Sequence, residues 1–284
     1  MKKITVKIPA KINLTLDVLG MKNDYHEISS LVASLNIYDV VTVSRRKEDA
    51  ITLDFYGAPI YCETKRSNAY FAAEAFRKEF FTGGVAITVK RSIPVAAGLG
   101  GSSADIAGVL FGMKKLFGIS KDVGFIAEKL GSDVNYMMQG GYAVISDRGE
   151  IVTPIESEQK MYAVILLGSK GVSAGESYKR YDKIGKVYGK STEVAVGFLQ
   201  NDDGDNFLKV LKNDLTCGSA EILPEINYSI SVLKEFGTAL MTGSGSAVYA
   251  LFFKKGKRDK AYRKLKQVFK GRILKAETVA KRVK

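Results

Sequence analysis

Residues 93–118 read IPVAAGLGGSSADIAGVLFGMKKLFG and join a glycine-rich loop to an amphipathic helix. Gly98, Gly100 and Gly101 let the backbone approach a ligand closely. The apolar positions of the helix that follows face a core, and they are Ile106, Val109, Leu110, Met113 and Leu116. Backbone N–H groups and the positive end of the helix dipole meet at one point, so this stretch predicts a polyphosphate site.

The common phosphate-loop patterns do not fit this stretch. It is not a Walker loop, because no GK[ST] follows, and its glycines do not have the G-x-G-x-x-G spacing. A serine-capped turn between a strand and a helix would also explain the residues, since such turns are common. The segment alone leaves both interpretations open.

The 284-residue chain has the composition of a soluble globular protein, with 46% hydrophobic and 26% charged residues. The first residues alternate between apolar and polar, which predicts a strand rather than a signal peptide, and no apolar run is long enough to cross a bilayer. Cys62 and Cys217 have neither CxxC nor metal-ligand spacing, which favours reduced thiols. We therefore expect a cytoplasmic protein.

Nearly all of the net charge of +13 lies in residues 254–284, which contain fourteen Lys/Arg and two Asp/Glu. Apolar residues recur there at helical spacing, so the segment predicts an amphipathic surface helix with a basic outer face. Aromatic residues are not interleaved with the basic ones, so we expect a solvated face and no nucleic-acid or membrane partner. The face could still attract anionic nucleotides at long range.

The pattern of elements favours an α+β fold over a doubly wound sheet, because strands and helices alternate without a regular βαβ rhythm. Strands are predicted at 3–8, 12–19, 40–44, 51–55, 84–90 and 161–168, a hairpin at 142–155 and a strand pair at 238–253. Helices are predicted at 67–80 and 120–131. The polar stretch ESEQK suggests two domains, 1–155 with the glycine-rich loop and 156–284.

Three motifs resemble those of the GHMP kinases, a family that includes galacto-, homoserine, mevalonate and phosphomevalonate kinases. PVAAGLGGSSADIAG (94–108) resembles the phosphate loop, PAKINLTLDVLG (9–20) the first motif and MTGSGSAVYALF (241–252) the third. The resemblance implies an N-terminal ribosomal-protein-S5-domain-2-like domain and a C-terminal ferredoxin-like α/β domain. It also implies an active site in the cleft between the domains, where ATP and Mg²⁺ bind.

Further segments resemble one branch of this family, whose substrate is a cytidine diphosphate derivative of methylerythritol. These segments are DYHEISSL (24–31), LGSDVNYMMQGGYAVISDRGE (130–150), GVSAGESY (171–178) and NDLTCGSAEILPEI (213–226). The likeness extends over about the whole chain. It implies an ATP-dependent small-molecule kinase that acts on an alcohol in non-mevalonate isoprenoid biosynthesis.

The resemblance assigns catalysis to Lys11 and Asp133. Asp133 would act as a base or would orient the acceptor hydroxyl, and Lys11 would lower the cost of negative charge on that oxygen. Without the resemblance, Asp133 reads as a turn aspartate and Lys11 as an edge lysine on an apolar strand.

The resemblance places His26, the single histidine of the chain, in a cytosine pocket with Tyr25 and Tyr178. A neutral imidazole has one donor and one acceptor, and aromatic rings can stack on a base. The other implied substrate residues are Asn13, Gly243, Ser244 and Gly245. The implied nucleotide residues are Asn68, Arg91, Pro94, Gly98, Leu99, Gly100, Gly101, Ser102 and Ser103, and no side chain is assigned to the metal.

The chain departs from the family pattern at four points. NDYH replaces DGYH, GSSADIA replaces GGSSDAA, and Ala174 and Asn135 stand where threonine and proline are usual. Two alternatives stay open: another GHMP kinase, of the homoserine or mevalonate type, and a non-catalytic binding protein of the same fold. His26 and Tyr178 disfavour the first alternative, because those acceptors carry no base, and Lys11 and Asp133 disfavour the second. Monomer and homodimer are both compatible with the sequence.

Overall fold

The computed structural model describes residues 2–57, 64–184 and 189–280. The strands in these ranges are β1 Lys3–Asn13, β2 Asp17–Lys22, β3 Tyr25–Arg45, β4 Ile51–Gly57, β5 Val85–Arg91, β6 Tyr142–Asp147, β7 Ile151–Ile155, β8 Tyr162–Leu166, β9 Thr238–Met241, β10 Val248–Phe252 and β11 Ile273–Val279. The helices are α1 Asn68–Phe80, α2 Gly101–Phe117, α3 Gly124–Leu130, α4 Val134–Gln139, α5 Ala174–Ile184, α6 Ser191–Gln200, α7 Gly204–Val210, α8 Thr216–Ile222, α9 Glu225–Lys234 and α10 Lys255–Val268. Mixed strand pairing with helices confirms the α+β prediction.

Strand β3 organises the N-terminal half. It runs for 21 residues and pairs with β1, β2, β5 and β6, all antiparallel. The sequence predicted only its last part, because Ser30, Ser34 and Asp39 interrupt the apolar pattern. All three are fully buried, and each takes part in hydrogen bonds that offset the cost of burying it.

A two-residue turn joins β2 to β3. Its residues, Asn23 and Asp24, have φ values of 47° and 64°. Two positive φ values are typical of the type I′ turn that suits a β-hairpin, and Asn and Asp tolerate this region better than most residues. The turn therefore forms without the glycine that the family pattern has here, and His26 sits opposite Met21 at the start of β3.

Helix α2 packs on β1 and β3 through its small residues. A Cβ on Gly108 would lie 2.3 Å from Val41 Cγ2, and one on Gly112 would lie 2.6 Å from Val43 Cγ2. The helix can approach the sheet this closely only without side chains at these positions. Its N-terminus, with the glycine-rich loop, is thereby fixed beside β1.

The C-terminal strands pair antiparallel in the order β11–β8–β10–β9. Thr278 and Val279 of β11 also pair with Leu35 and Ser34 of β3, so the two halves share one sheet. The division into residues 1–155 and 156–284 stays a proposal; β7 ends at Ile155 and β8 begins at Tyr162.

Two smaller predictions concern the membrane and the cysteines. None of the helices in the described ranges combines the length and apolar character that a membrane span needs. Cys217 is a free, exposed thiol, and Cys62 lies outside the described residues.

Candidate active site

Lys11 and Asp133 form an ion pair. Lys11 lies on β1, and Asp133 immediately precedes α4, in the short link after α3. Lys11 Nζ is 3.2 Å from Asp133 Oδ2, and their side chains are 4% and 30% exposed. A buried ammonium group thus faces a carboxylate that remains open to the cleft.

Asn13 holds Lys11 in place from the same strand. Its Oδ1 accepts hydrogen bonds from Lys11 Nζ at 2.7 Å and from the Gly243 N–H at 3.0 Å. Its Nδ2 donates to Ser30 Oγ at 2.8 Å. The Lys11 N–H donates to the Leu99 carbonyl at 3.0 Å. Strand β1 is therefore bonded to both glycine-rich segments.

The two glycine-rich segments touch each other. Gly98 has a φ of +76°, and a Cβ there would lie 2.0 Å from the Thr242 carbonyl oxygen. Gly243 has a φ of +58°, and a Cβ there would lie 3.2 Å from Gly98 Cα. Thr242 Oγ1 donates to the Gly98 carbonyl at 3.1 Å. Both positions need glycine, for the left-handed backbone and for the space.

The N-terminus of α2 presents free amides. Gly100 precedes the helix, its carbonyl accepts from the Ala104 N–H, and no acidic residue lies in the first turn. The N–H groups of Gly101, Ser102 and Ser103 have no partner within the helix. Asn68 Nδ2 donates to Ser102 Oγ at 2.7 Å, which places Asn68 beside the N-terminus of α2. These donors and the helix dipole fit a polyphosphate.

A cleft of about 270 Å³ is lined by half of the predicted site residues. The predicted site residues that line it are Lys11, Asn13, Gly98, Gly100, Ser103, Asp133, Tyr178, Gly243 and Ser244. Residues from both halves of the chain line it, as the resemblance implied. A larger cavity of about 560 Å³ is lined by Pro94 and residues 167–173, but it contains neither Lys11 nor Asp133. The smaller cleft is therefore the candidate active site, because it contains both Lys11 and Asp133.

Two of the three residues of the predicted base pocket, His26 and Tyr178, are stacked on each other. The His26 ring stacks on Tyr178 at 4.5 Å between ring centres and 18° between planes. His26 Nε2 is 2.8 Å from Asp182 Oδ1. Tyr25 is 54% exposed, and the Arg148 guanidinium lies 4.6 Å from its ring centre. Burial, aided by the charge of Asp133, raises the pKa of Tyr178, so its phenol stays neutral.

Arg91 lies away from the cleft. Its guanidinium donates to Asp105 Oδ2 at 2.6 and 2.9 Å and lies 4.0 Å from the centre of the Phe55 ring. Burial raises the pKa of Asp105 to about 7, although the charge of Arg91 opposes that rise. The other predicted residues that do not line the cleft are Tyr25, His26, Asn68, Pro94, Leu99, Gly101, Ser102 and Gly245.

Four residues that sequence reasoning missed belong to this region. Arg148 and Ser132 line the cleft, Thr242 bonds both Gly98 and Asn13, and Asp182 bonds His26. Arg148 lies in the segment DRGE, which resembles the family, but the resemblance assigns no role to the arginine. Nothing in the sequence singles out Asp182 among the many charged residues of 179–206.

In the described part of the chain, no three or more His, Cys, Asp or Glu side chains form a group that could hold a metal ion. Ser103 and Asp133 nevertheless bring oxygen atoms to the cleft. This arrangement fits Mg²⁺, which proteins commonly bind through one or two side chains together with substrate phosphates.

Family models and known proteins match the chain over most of its length. The model for the GHMP kinases N terminal domain matches residues 67–145, and the model for GHMP kinases C terminal matches residues 195–271. The 4-diphosphocytidyl-2-C-methyl-D-erythritol kinases of Geobacillus thermodenitrificans and Bacillus cereus strain B4264 are 34% and 32% identical to it. Each alignment covers 96% of this chain and 97% of the relative.

A crystal structure of a 4-(cytidine 5'-diphospho)-2C-methyl-D-erythritol kinase superposes with a TM-score of 0.78 at 26% identity. The superposition covers 97% of this chain and 99% of that one. It confirms the fold that the resemblance implied.

Proposed function

Because this chain belongs to the GHMP kinase family, we propose that it transfers the γ-phosphoryl group of ATP to the 2-hydroxyl of 4-diphosphocytidyl-2-C-methyl-D-erythritol. This reaction belongs to non-mevalonate isoprenoid biosynthesis. The observation that carries the proposal is one cleft in which the Lys11–Asp133 pair, the N-terminus of α2 and Tyr178 meet. Relatives that align with nearly the whole chain bear the name of this kinase, and they support the choice of acceptor.

Phosphoryl transfer depends mainly on positioning and on charge stabilisation. The Asp133 carboxylate accepts the hydrogen bond of the acceptor hydroxyl and so aims its oxygen at the γ-phosphorus. The Lys11 ammonium, held by Asn13, stabilises negative charge on that oxygen as the bond forms. Burial of Lys11 strengthens this interaction, because water screens it less than it would at the surface.

The loop 98–103 holds the triphosphate by its amides. Asn68, bonded to Ser102, lies at the end of this loop where the nucleoside would follow. Ser103 and Asp133 would be the protein ligands of Mg²⁺, which would neutralise charge on the phosphates. We include in the proposal a cytoplasmic location and the absence of nucleic-acid and membrane partners.

The base subsite separates this function from the other GHMP kinases. Homoserine and mevalonate carry no base that could use the ring of Tyr178 or the imidazole of His26. Rates of ADP release should therefore be measured with 4-diphosphocytidyl-2-C-methyl-D-erythritol, homoserine and mevalonate at equal concentration, and the product identified by phosphorus NMR. We expect a new phosphomonoester from the cytidylylated acceptor alone. Faster turnover of homoserine or mevalonate would assign the chain to another branch, and no turnover of any acceptor would favour the binding-protein alternative.

A further inference from the structure

We propose that Asp182 fixes the tautomer of His26 and thereby makes the base subsite select a base with an exocyclic amino group. This inference rests on the proposed function, because it concerns the subsite assigned to the cytidine part of the acceptor. Asp182 is here a positioning residue, which acts through His26.

The direction of one hydrogen bond carries the argument. A carboxylate can only accept, so the 2.8 Å contact between Asp182 Oδ1 and His26 Nε2 requires a proton on Nε2. In a neutral imidazole the other nitrogen, Nδ1, is then an acceptor. Within residues 2–57, 64–184 and 189–280, no hydrogen bond reaches Nδ1. The ring therefore offers a free acceptor.

Helix α5 holds the ring from two sides. Tyr178 and Asp182 are four residues apart, so they lie on the same face of the helix. Tyr178 covers one face of the imidazole at 4.5 Å, while Asp182 binds its edge. The His26 side chain is 13% exposed, and strand pairing with Met21 fixes its backbone. Both the orientation of the ring and the proton on Nε2 are thus set before a ligand binds.

A fixed acceptor discriminates between the two pyrimidines. Cytosine carries an amino group at position 4, which can donate to Nδ1. Uracil carries a carbonyl oxygen there, which would face the nitrogen lone pair without a proton between them. A site built around a hydrogen bond rejects a ligand that leaves its polar group unpaired. Without Asp182, the proton can move to Nδ1, and the ring could then donate to the uracil carbonyl.

The tautomer can be observed directly, because His26 is the single histidine of the chain. In tag-free, nitrogen-15-labelled protein at about pH 8, where an ordinary imidazole is neutral, long-range proton–nitrogen NMR spectra contain one imidazole. We expect a protonated Nε2 and an unprotonated Nδ1 in the wild type, and a mixture of tautomers in Asp182→Ala. A proton on Nδ1 in the wild type, or an unchanged spectrum in Asp182→Ala, would overturn the inference.

Binding of CDP and UDP, measured by calorimetry, tests the consequence. The wild type should bind CDP at least about tenfold more tightly than UDP. Asp182→Ala should reduce that ratio to about threefold or less, and ATP affinity should not change. Asp182→Asn, whose amide oxygen can still accept from Nε2, should keep most of the preference. Lys183→Ala, an exposed neighbour on α5, is the matched control.

The outcomes separate the inference from the proposed function. A wild type that binds neither CDP nor UDP would contradict the function itself. A wild type that prefers CDP, with the same preference in Asp182→Ala, would contradict only the role of Asp182. If Asp182→Ala fails to fold, loss of the preference in a folded Asp182→Asn protein would still contradict the tautomer argument.

Discussion

Replacement of Asn13 by alanine should weaken both the fold and the chemistry. The substitution removes the acceptor of Lys11 Nζ and of the Gly243 N–H, and also the donor to Ser30 Oγ. Asn13 is 2% exposed, so water does not readily replace these bonds. A buried polar group left without its partner costs about 1–3 kcal/mol.

The magnitude follows from which partners remain. Lys11 keeps Asp133, and the Ser30 hydroxyl keeps the Thr15 carbonyl, whereas the Gly243 N–H has no other hydrogen bond within the described ranges. We therefore expect the free energy of unfolding to fall by about 2–4 kcal/mol, which is less than the cost of three buried polar groups left without any partner. Lys11 also loses its orientation, so kcat should fall about tenfold or more.

Urea denaturation and steady-state kinetics measure the two effects. Asn201→Ala is the matched control, because among the described residues the Asn201 side-chain amide bonds only the Gly197 carbonyl, at an exposed helix end. Its free energy of unfolding should change by about 0.5 kcal/mol or less. A loss below about 1 kcal/mol in Asn13→Ala, with kcat intact, would refute the view that Asn13 ties the motifs together.

Three further perturbations test other parts of the site. Gly98→Ala should reduce ATP affinity about tenfold or more, because its Cβ would lie 2.0 Å from the Thr242 carbonyl oxygen. Gly197→Ala is the control, because its added Cβ would meet no other part of the described structure within 4 Å, and equal ATP affinities of the two variants would contradict the packing argument. Burial raises the pKa of Asp105 to about 7, above its value of about 3.9 in the unfolded chain, so the wild-type free energy of unfolding should decrease as pH rises between these values. Asp105→Asn should flatten that decrease in urea titrations, and parallel pH profiles would contradict the raised pKa. Arg148→Ala should raise the KM of the acceptor about fivefold with little change in kcat, because the lost contact binds the acceptor equally in the ground state and in the transition state. An unchanged KM would exclude Arg148 from acceptor binding.

The sequence revealed the motifs well, because backbone chemistry leaves a strong local pattern. The glycines at 98 and 243 are needed for positive φ and for close contact, so their spacing survives as a readable signal. The N-terminus of α2 was predictable for the same reason, because glycines precede it in the sequence. Residues that act through long-range contacts leave no such pattern, and Arg148, Thr242 and Asp182 were found only in three dimensions.

Strand β3 and Arg91 show two other limits of the sequence. Most of β3 was not predicted, because buried polar residues interrupt its apolar pattern. The partners that make their burial tolerable lie elsewhere in the chain. Arg91 stands beside the phosphate loop in sequence, yet it pairs with Asp105 and packs on Phe55. The direction of a side chain on a strand depends on pairing and twist, which proximity in sequence does not reveal.

The central claim is that Asp133, paired with Lys11, acts on the acceptor hydroxyl while the glycine-rich loop separately holds ATP. Turnover of 4-diphosphocytidyl-2-C-methyl-D-erythritol by Asp133→Asn, measured together with ATP affinity, tests it most directly. We predict that kcat falls about 10²–10⁴-fold, while the Kd for ATP stays within about threefold of the wild type. Turnover within about tenfold of the wild type would contradict the claim.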